Sequence, residues 1–326
     1  MKKVAVAGAA GFLGSMLCRT LLKEGCAVIG IDNLSTGKPE NMIDFADHER
    51  FTLLRDDVAS PEWLTDARLR DVTEIYHLAS PASPKFYQAE PFATILANTA
   101  GTRNMLELAR RNGAKLLYAS TSEVYGDPDV HPQPEAYRGN VNTWGPRACY
   151  DEAKRLGEVY CFEYVARFGV KARVARIFNT YAAGLRNDDG RVISTFVTQA
   201  LANQALTIFG DGTQTRSFCY VDDTIRGLLL LMEKQEAEGE IVNIGNPVEH
   251  QILEVAKIVV RLSGCKSGFI FRPLPQDDPR RRCPDIAKAK RILGWEPQVT
   301  LEQGLTLMID HYRKKSGHFG GKGEAP

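Results

Sequence analysis

The sequence predicts an α/β fold: a doubly wound parallel sheet followed by a smaller C-terminal α/β domain. Three observations predict it. Apolar, β-prone runs alternate with amphipathic stretches as far as residue 178. The first of those runs leads directly into three glycines spaced three apart, Gly8, Gly11 and Gly14. Beyond residue 178 the alternation yields to loop-rich sequence with short strand-like runs.

Val4 to Ala7 reads as a strand, and Ser15 to Glu24 reads as a helix that stops at Gly25. Glycines between them let the backbone turn sharply and approach a ligand closely. The helix that follows offers unpaired N–H groups and its positive dipole end to an anion. Phe12 and Leu13 sit between the glycines. A second strand, Ala27 to Ile31, ends at Asp32 and Asn33. An acid about twenty residues past the glycines can accept the ribose hydroxyls of a dinucleotide, and its charge favours NAD over NADP. The alternative is that Asp32 caps a turn with Asn33. Strand, glycines, helix, strand and acid together predict a Rossmann-type NAD site.

Asn33 to Asn41 reads as a loop over the adenosine, with Thr36 and Gly37 in it. A strand at Phe51 to Leu54 leads to Asp57 and Val58, which fit either an adenine contact or a strand-end cap. The next strand, Glu74 to Leu78, runs into Ala79 and a Pro/Ser-rich stretch at the carboxyl edge of the sheet, where ligands bind. One long helix is expected from Pro91 to Arg111, then a strand from Lys115 to Ala119. A Pro-rich loop, Asp127 to Pro146, precedes a helix from Ala148 to Phe168, and Ala172 to Phe178 is the sixth strand. Further on, a helix is expected at Ile193 to Ala202. Strand-like Ser217 to Val221, a helix at Asp222 to Lys234 and a strand at Ile241 to Ile244 read as a return to the main sheet. The expected division is 1–178 with 217–247 for the NAD-binding domain, and 179–216 with 248–315 for a substrate domain. The last helix is expected at Leu301 to Lys314, and the Gly-rich tail 316–326 is expected to be disordered.

The chain has 326 residues, 44% of them hydrophobic and 25% charged, ordinary globular composition. A formal charge of +1 makes no electrostatic case for nucleic acid or an anionic membrane. Seven cysteines lack metal-ligand spacing and read as reduced thiols, so no metal is expected. The chain enters its first strand at once, leaving no room for a signal peptide, and no apolar run approaches transmembrane length. The expectation is a cytoplasmic protein.

Tyr150 and Lys154 carry the chemistry. Spaced i, i+4 on a helix, they share a face. A phenol titrates near pH ~10, and a nearby ammonium with a cationic nicotinamide would lower it into the range of a base. The alternative for the pair is an exposed surface contact. Upstream, a strand ends in Ser120-Thr121-Ser122-Glu123, where the Thr121 hydroxyl could share a substrate proton with Tyr150.

With these motifs the chain resembles the extended short-chain dehydrogenase/reductase family over residues 1–314. Within it the chain is most similar to the UDP-glucuronate decarboxylases. Gly145-Pro146-Arg147, Cys149-Tyr150-Asp151-Glu152, Thr121 to Pro128, His131 to Glu135 and Arg176 to Tyr181 carry that finer likeness, and Asp189 to Val192 continues it. The resemblance implies oxidation at C4 of UDP-glucuronate, loss of CO₂, and re-reduction to UDP-xylose, with NAD tightly bound and recycled. It implies that Ser122 and Glu123 handle the carboxylate and the proton, and that Arg282 approaches the sugar carboxylate. Arg191 and Arg216 are candidate diphosphate ligands, with a solvated surface charge as the alternative for each of the three arginines. Asn179 and Tyr87 look like sugar or phosphate contacts, though Tyr87 could equally be a packed aromatic. The resemblance also implies a homodimer through the helices near 91–111 and 148–168, with Leu106, Leu108, Leu156 and Val159 as apolar contacts that would serve a monomer's core equally well. The chain departs from the family in two places. Cys283 stands where Lys is usual, and Tyr181-Ala182-Ala183-Gly184-Leu185-Arg186 replaces the usual loop. Alternatives are a nucleotide-sugar 4-epimerase or 4,6-dehydratase, a decarboxylase that releases the 4-keto-pentose, and a non-enzymatic NAD-binding sensor.

Overall fold

The computed structural model describes residues 1–185, 190–274 and 281–317. The elements run β1 (Lys3–Ala7), α1 (Phe12–Lys23), β2 (Ala27–Ile31), β3 (Phe51–Leu54), β4 (Glu74–His77), α2 (Pro84–Ala89), α3 (Pro91–Asn98), α4 (Ala100–Asn112) and β5 (Lys115–Thr121). They continue with α5 (Ala148–Phe168), β6 (Ala172–Ile177), β7 (Thr180–Tyr181), α6 (Val192–Leu201), β8 (Leu206–Phe209), β9 (Thr215–Ser217), β10 (Cys219–Tyr220) and α7 (Val221–Glu233). The last are β11 (Ile241–Ile244), β12 (Glu249–Gln251), α8 (Ile252–Ser263), β13 (Phe269–Arg272), β14 (Arg281–Arg282), α9 (Ala287–Leu293) and α10 (Leu301–Gly317).

Seven strands form one parallel sheet in the order β11-β6-β5-β4-β1-β2-β3. Its strands are apolar on both faces, as a sheet covered on both sides requires. One face packs Leu17 and Leu21 of α1 and Ile225 and Leu228 of α7. The other packs Met105 and Leu106 of α4 and Cys161 and Tyr164 of α5. A third core, from α6, α8 and α10, includes Phe196, Val255 and Leu305 and sits beyond the carboxyl edge of the sheet.

Three expectations need correction. The helix expected over Pro91 to Arg111 is two helices that meet at Thr99. The Oγ1 of Thr99 donates to the Ile95 carbonyl at 2.8 Å, and that of Thr102 donates to the Asn98 carbonyl at 2.7 Å. Such back-bonding competes with the helix ladder and bends it. The stretch expected as a strand at 217–221 does not join the main sheet. Instead β10 pairs with β7, and β9 lies between β12 and β14 in a separate small sheet. The final helix runs to Gly317, past the start expected for the tail, whose remainder from 318 lies outside the described residues. So do Arg186 and Asp189. Among the described residues no helix is long and apolar enough to cross a membrane.

Candidate active site

The site forms where β1, β4, β5 and β6 end. The chain leaves β1 through Gly8, whose φ of +84° is the left-handed region glycine favours. A Cβ on Gly14 would stand 1.9 Å from the Gly8 carbonyl oxygen, so α1 packs on the turn only without one. No side chain caps the N-terminus of α1, which leaves its first N–H groups for an anion. Asp32, at the end of β2, accepts from the Ala10 N–H at 2.9 Å and the Leu34 N–H at 2.8 Å. The Asn33 amide donates to Asp57 at 3.0 Å.

Two adjoining cavities share Gly8, Gly11, Thr36 and Leu78. Asp32, Asn33, Gly37, Asp57, Val58 and Ala79 line one of them, while Phe12, Leu13, Gly14, Tyr150 and Lys154 line the other. Every residue assigned to the cofactor from sequence therefore lies on one continuous trough. A glycine cradle, an uncapped helix end and an acid at the far end fit an NAD molecule.

Thr121, Ser122, Glu123, Asn179 and Arg191 border this trough from the sheet edge. A third cavity continues from Glu123, Asn179 and Arg191 to Arg147, Arg216 and Arg282. Thus β14, though only two residues long, brings Arg282 to the site by pairing with β9 beside Arg216.

The residues around Tyr150 are tightly held. Lys154 donates from Nζ to the Ala119 carbonyl at 2.7 Å, and burial lowers its pKa to about 7. Burial raises the Tyr150 phenol, with the Thr121 hydroxyl and Arg191 pulling it down only in part. The Lys154 ammonium is itself desolvated and lies 5.7 Å from the Tyr150 ring centroid. Tyr87 is buried against Tyr150. Its ring stacks on Tyr150 at 4.9 Å and 5°, and its buried hydroxyl has no partner among the described residues.

Glu123 is the centre of charge. One carboxylate oxygen accepts from Nη2 of Arg147 and the other from Nη1 of Arg282. Burial works against the Glu123 carboxylate, but Arg282 and Arg147 overcome it and hold it well below the usual range. The Arg282 Nη2 also donates to the Gly126 carbonyl at 3.1 Å. Asp151 lies on the other side of Arg147, 3.9 Å from its Nε. Burial, and then the charge of Glu123, push Asp151 up to about 7. Sequence reasoning quoted Arg147 and Asp151 without giving either a role. The signal was available, since Arg147 stands at the N-cap and Asp151 in the first turn of the helix that carries Tyr150. Cys283 turns away from the cavity, with Sγ 3.2 Å from the Pro247 carbonyl. Only Arg282 of that pair reaches the site. In the departing loop, Gly184 and Leu185 border the trough.

Known proteins share this architecture. UDP-glucuronic acid decarboxylase 1 of Danio rerio is 50% identical over 317 residues, 97% of this chain and 74% of that protein. UDP-glucuronic acid decarboxylase 5 of Arabidopsis thaliana is 49% identical over 316 residues, 97% and 90% of the two chains. Among solved structures, a UDP-glucuronic acid 4-epimerase from Bacillus cereus, in complex with UDP-glucuronic acid and NAD, aligns with a TM-score of 0.86. It is 30% identical, covering 96% of this chain and 99% of that one. A UDP-glucose 4-epimerase from Thermotoga maritima aligns at 0.89 with 31% identity over 96% and 99%. A family profile matches residues 4–245, and by that match and these identities the chain belongs to the NAD dependent epimerase/dehydratase family.

Proposed function

We propose that the chain is a UDP-glucuronate decarboxylase that forms UDP-xylose. The observation that carries this is the Glu123 carboxylate held between Arg147 and Arg282, in a cavity that opens onto Tyr150. Guanidinium groups already holding one carboxylate beside the base are suited to a uronate. The near full-length identity to proteins named for this activity supports the same reading.

Bound NAD⁺ supplies a reversible two-electron acceptor at C4 of the sugar. Tyr150 takes the C4 hydroxyl proton, with Thr121 sharing that proton, and Lys154 holds the nicotinamide ribose. Once C4 is a ketone, the C6 carboxylate lies β to it. The C5–C6 bond then breaks to release CO₂, and its electron pair passes into an enolate. Ser122 and Glu123 handle the carboxylate; the proton that C5 gains comes from solvent by way of the Ser122 hydroxyl, since Glu123 stays ionised, and Tyr150 gives its proton back to the C4 oxygen as the alcohol re-forms. Arg282 binds the uronate, Arg191, Arg216 and Asn179 hold the diphosphate and sugar, and Tyr87 backs the Tyr150 ring. The cofactor ends as it began and stays bound.

Residues 1–178 with 217–247 would hold the cofactor, and 179–216 with 248–315 the substrate. A homodimer is supported by a face of α3 and α5 that exposes Phe92, Leu96, Leu156, Val159 and Phe162. Leu106 and Leu108 belong to the core instead. We assign the protein to the cytoplasm.

Incubation with UDP-glucuronate and NAD⁺, following CO₂ and sugar-nucleotide mass, tests the activity. CO₂ with UDP-xylose is the expected result. An isomer of unchanged mass without CO₂ would make the chain an epimerase, and a 4-keto-pentose would mean release before re-reduction.

A further inference from the structure

The motif His131 to Glu135 has no task in the reaction described above. It touches both edges of the small sheet β12-β9-β14, which carries Arg216 and Arg282. At one edge His131 Nε2 lies 2.8 Å from a carboxylate oxygen of Glu249 on β12, whose other oxygen accepts from the Thr215 hydroxyl on β9 at 2.6 Å. At the other edge Gln133 meets the residue that follows β14. Its Oε1 accepts from the Cys283 N–H at 2.9 Å, and its own N–H donates to the Cys283 carbonyl at 2.9 Å. The Gln133 carbonyl accepts from the Asp285 N–H at 3.0 Å.

Gln133 is wholly buried, and its Nε2 donates to the Val130 carbonyl at 2.8 Å. A carbonyl on one side and an N–H on the other leave its amide one orientation. Asn243, on β11, ties this clamp to the main sheet. Its Nδ2 donates to the Gln133 carbonyl at 2.9 Å and to the Asp285 carbonyl at 3.0 Å. Its Oδ1 accepts from the Tyr125 hydroxyl at 2.8 Å, and Tyr125 ends the turn that begins with Ser122 and Glu123.

The consequence falls on Arg282. Strand β14 has two residues, so its pairing with β9 is short. The peptide that leaves Arg282 carries the Cys283 N–H, and the Gln133 side chain holds that N–H. An arginine side chain has many rotamers, so its guanidinium is placed no better than the backbone from which it hangs. Without the Gln133 oxygen the Cys283 N–H would be buried and unpaired, and a short strand relieves that cost by moving. We propose that Gln133 is a positioning residue for uronate recognition. Its side-chain oxygen, acting through the Cys283 N–H, sets Arg282 where the sugar carboxylate is read. This rests on the reading of Arg282 as the uronate ligand given above.

The test uses the Tyr150→Phe protein saturated with NAD⁺, so that turnover does not obscure binding. Affinities for UDP-glucuronate and UDP-glucose are measured by calorimetry in this parent. They are measured again with Gln133→Met, with Arg282→Met and with both added. The two ligands carry the same nucleotide diphosphate, so the ratio of their affinities isolates the carboxylate. Methionine keeps the bulk of glutamine and removes the acceptor. Expected is a loss of about 10-fold or more for UDP-glucuronate in Gln133→Met, the scale of one charge-assisted hydrogen bond, and of under about 3-fold for UDP-glucose. With Arg282→Met the ratio has already collapsed, and adding Gln133→Met lowers it no further. Equal weakening of both ligands by Gln133→Met would show a merely structural role and overturn the proposal, as would an unchanged ratio. If Gln133→Met does not fold, Gln133→Asn, which draws the amide back by one methylene, is read by the same criteria. A ratio that survives Arg282→Met sinks the uronate reading of Arg282, and the proposal with it. A ratio that collapses in Arg282→Met but survives in Gln133→Met sinks the proposal alone.

Discussion

Replacing Glu123 by Gln removes one charge from the middle of a buried chain of four, Asp151, Arg147, Glu123 and Arg282. The side chains of Glu123, Arg147 and Arg282 are 16%, 11% and 3% exposed, so water cannot take over the missing partner. Breaking a buried ion pair from one side costs about 3–5 kcal/mol. Glutamine keeps one acceptor oxygen, but its amide N–H groups face a guanidinium, donor against donor. Part of the cost is recovered from Asp151. Burial and then the Glu123 charge raise its pKa, so loss of that charge lets it ionise more fully against Arg147. With about 1–2 kcal/mol recovered in this way, the expected net loss is about 1–4 kcal/mol. Urea unfolding of the NAD-saturated protein measures it, and Asp151→Asn in the same background should then cost more than the two single losses added. A loss under about 0.5 kcal/mol, the scale of a surface pair, would refute the buried-chain reasoning. In turnover, decarboxylation should slow more than C4 oxidation, so that reduced nicotinamide accumulates. If neither step changes, Glu123 does not have the proposed role.

Tyr150→Phe should cut turnover by about 10²–10⁴-fold with NAD content unchanged, and retention of more than roughly a tenth of the activity would exclude Tyr150 as the base. Gly14→Ala places a methyl 1.9 Å from the Gly8 carbonyl oxygen, where only backbone can give way. About 2–4 kcal/mol of stability and most of the bound NAD should be lost. Thermal melting and the NAD content of the purified protein check this, and wild-type values for both would show the turn to be more yielding than its geometry. Phe162→Asp puts a charge on the exposed apolar face of α5 and should halve the mass seen by light scattering. An unchanged dimer would move the interface elsewhere, and a monomeric wild type would remove it.

The cofactor trough was legible because its requirements are local. A strand that runs into Gly8, Gly11 and Gly14, and an acid at the end of the next strand, must fold close together whatever the rest of the chain does. Lys154 and Tyr150 were legible for the same reason, as one helical turn brings them side by side. The break at Thr99 was not, because periodicity continues across it and the change lies in the Thr99 backbone, with φ −112° and ψ −76°. Short strands were misplaced because two or three residues carry too little pattern to choose a sheet. The partner of β9 is set by β12 and β14, distant in sequence. For Tyr87 the sequence left a sugar contact and a packed aromatic equally open, because only the fold shows that its ring stacks on Tyr150.

The charge chain shows what spacing alone cannot predict. Arg282 lies 159 residues from Glu123, and the two meet because β14 pairs with β9. Once they meet, neither can be assigned a task in isolation. A uronate that takes Arg282 must displace a carboxylate already there, so the gain from binding is an exchange of one anion for another rather than a new ion pair. Tight binding then depends on how cheaply the displaced charge is accommodated. Arg147 holds Glu123 from the other side, so that carboxylate keeps a guanidinium partner when Arg282 turns to the uronate. On the proposed uronate-binding reading, discrimination against a neutral sugar is set by Arg147, which holds Glu123 and lies near Tyr150 in sequence, as much as by Arg282.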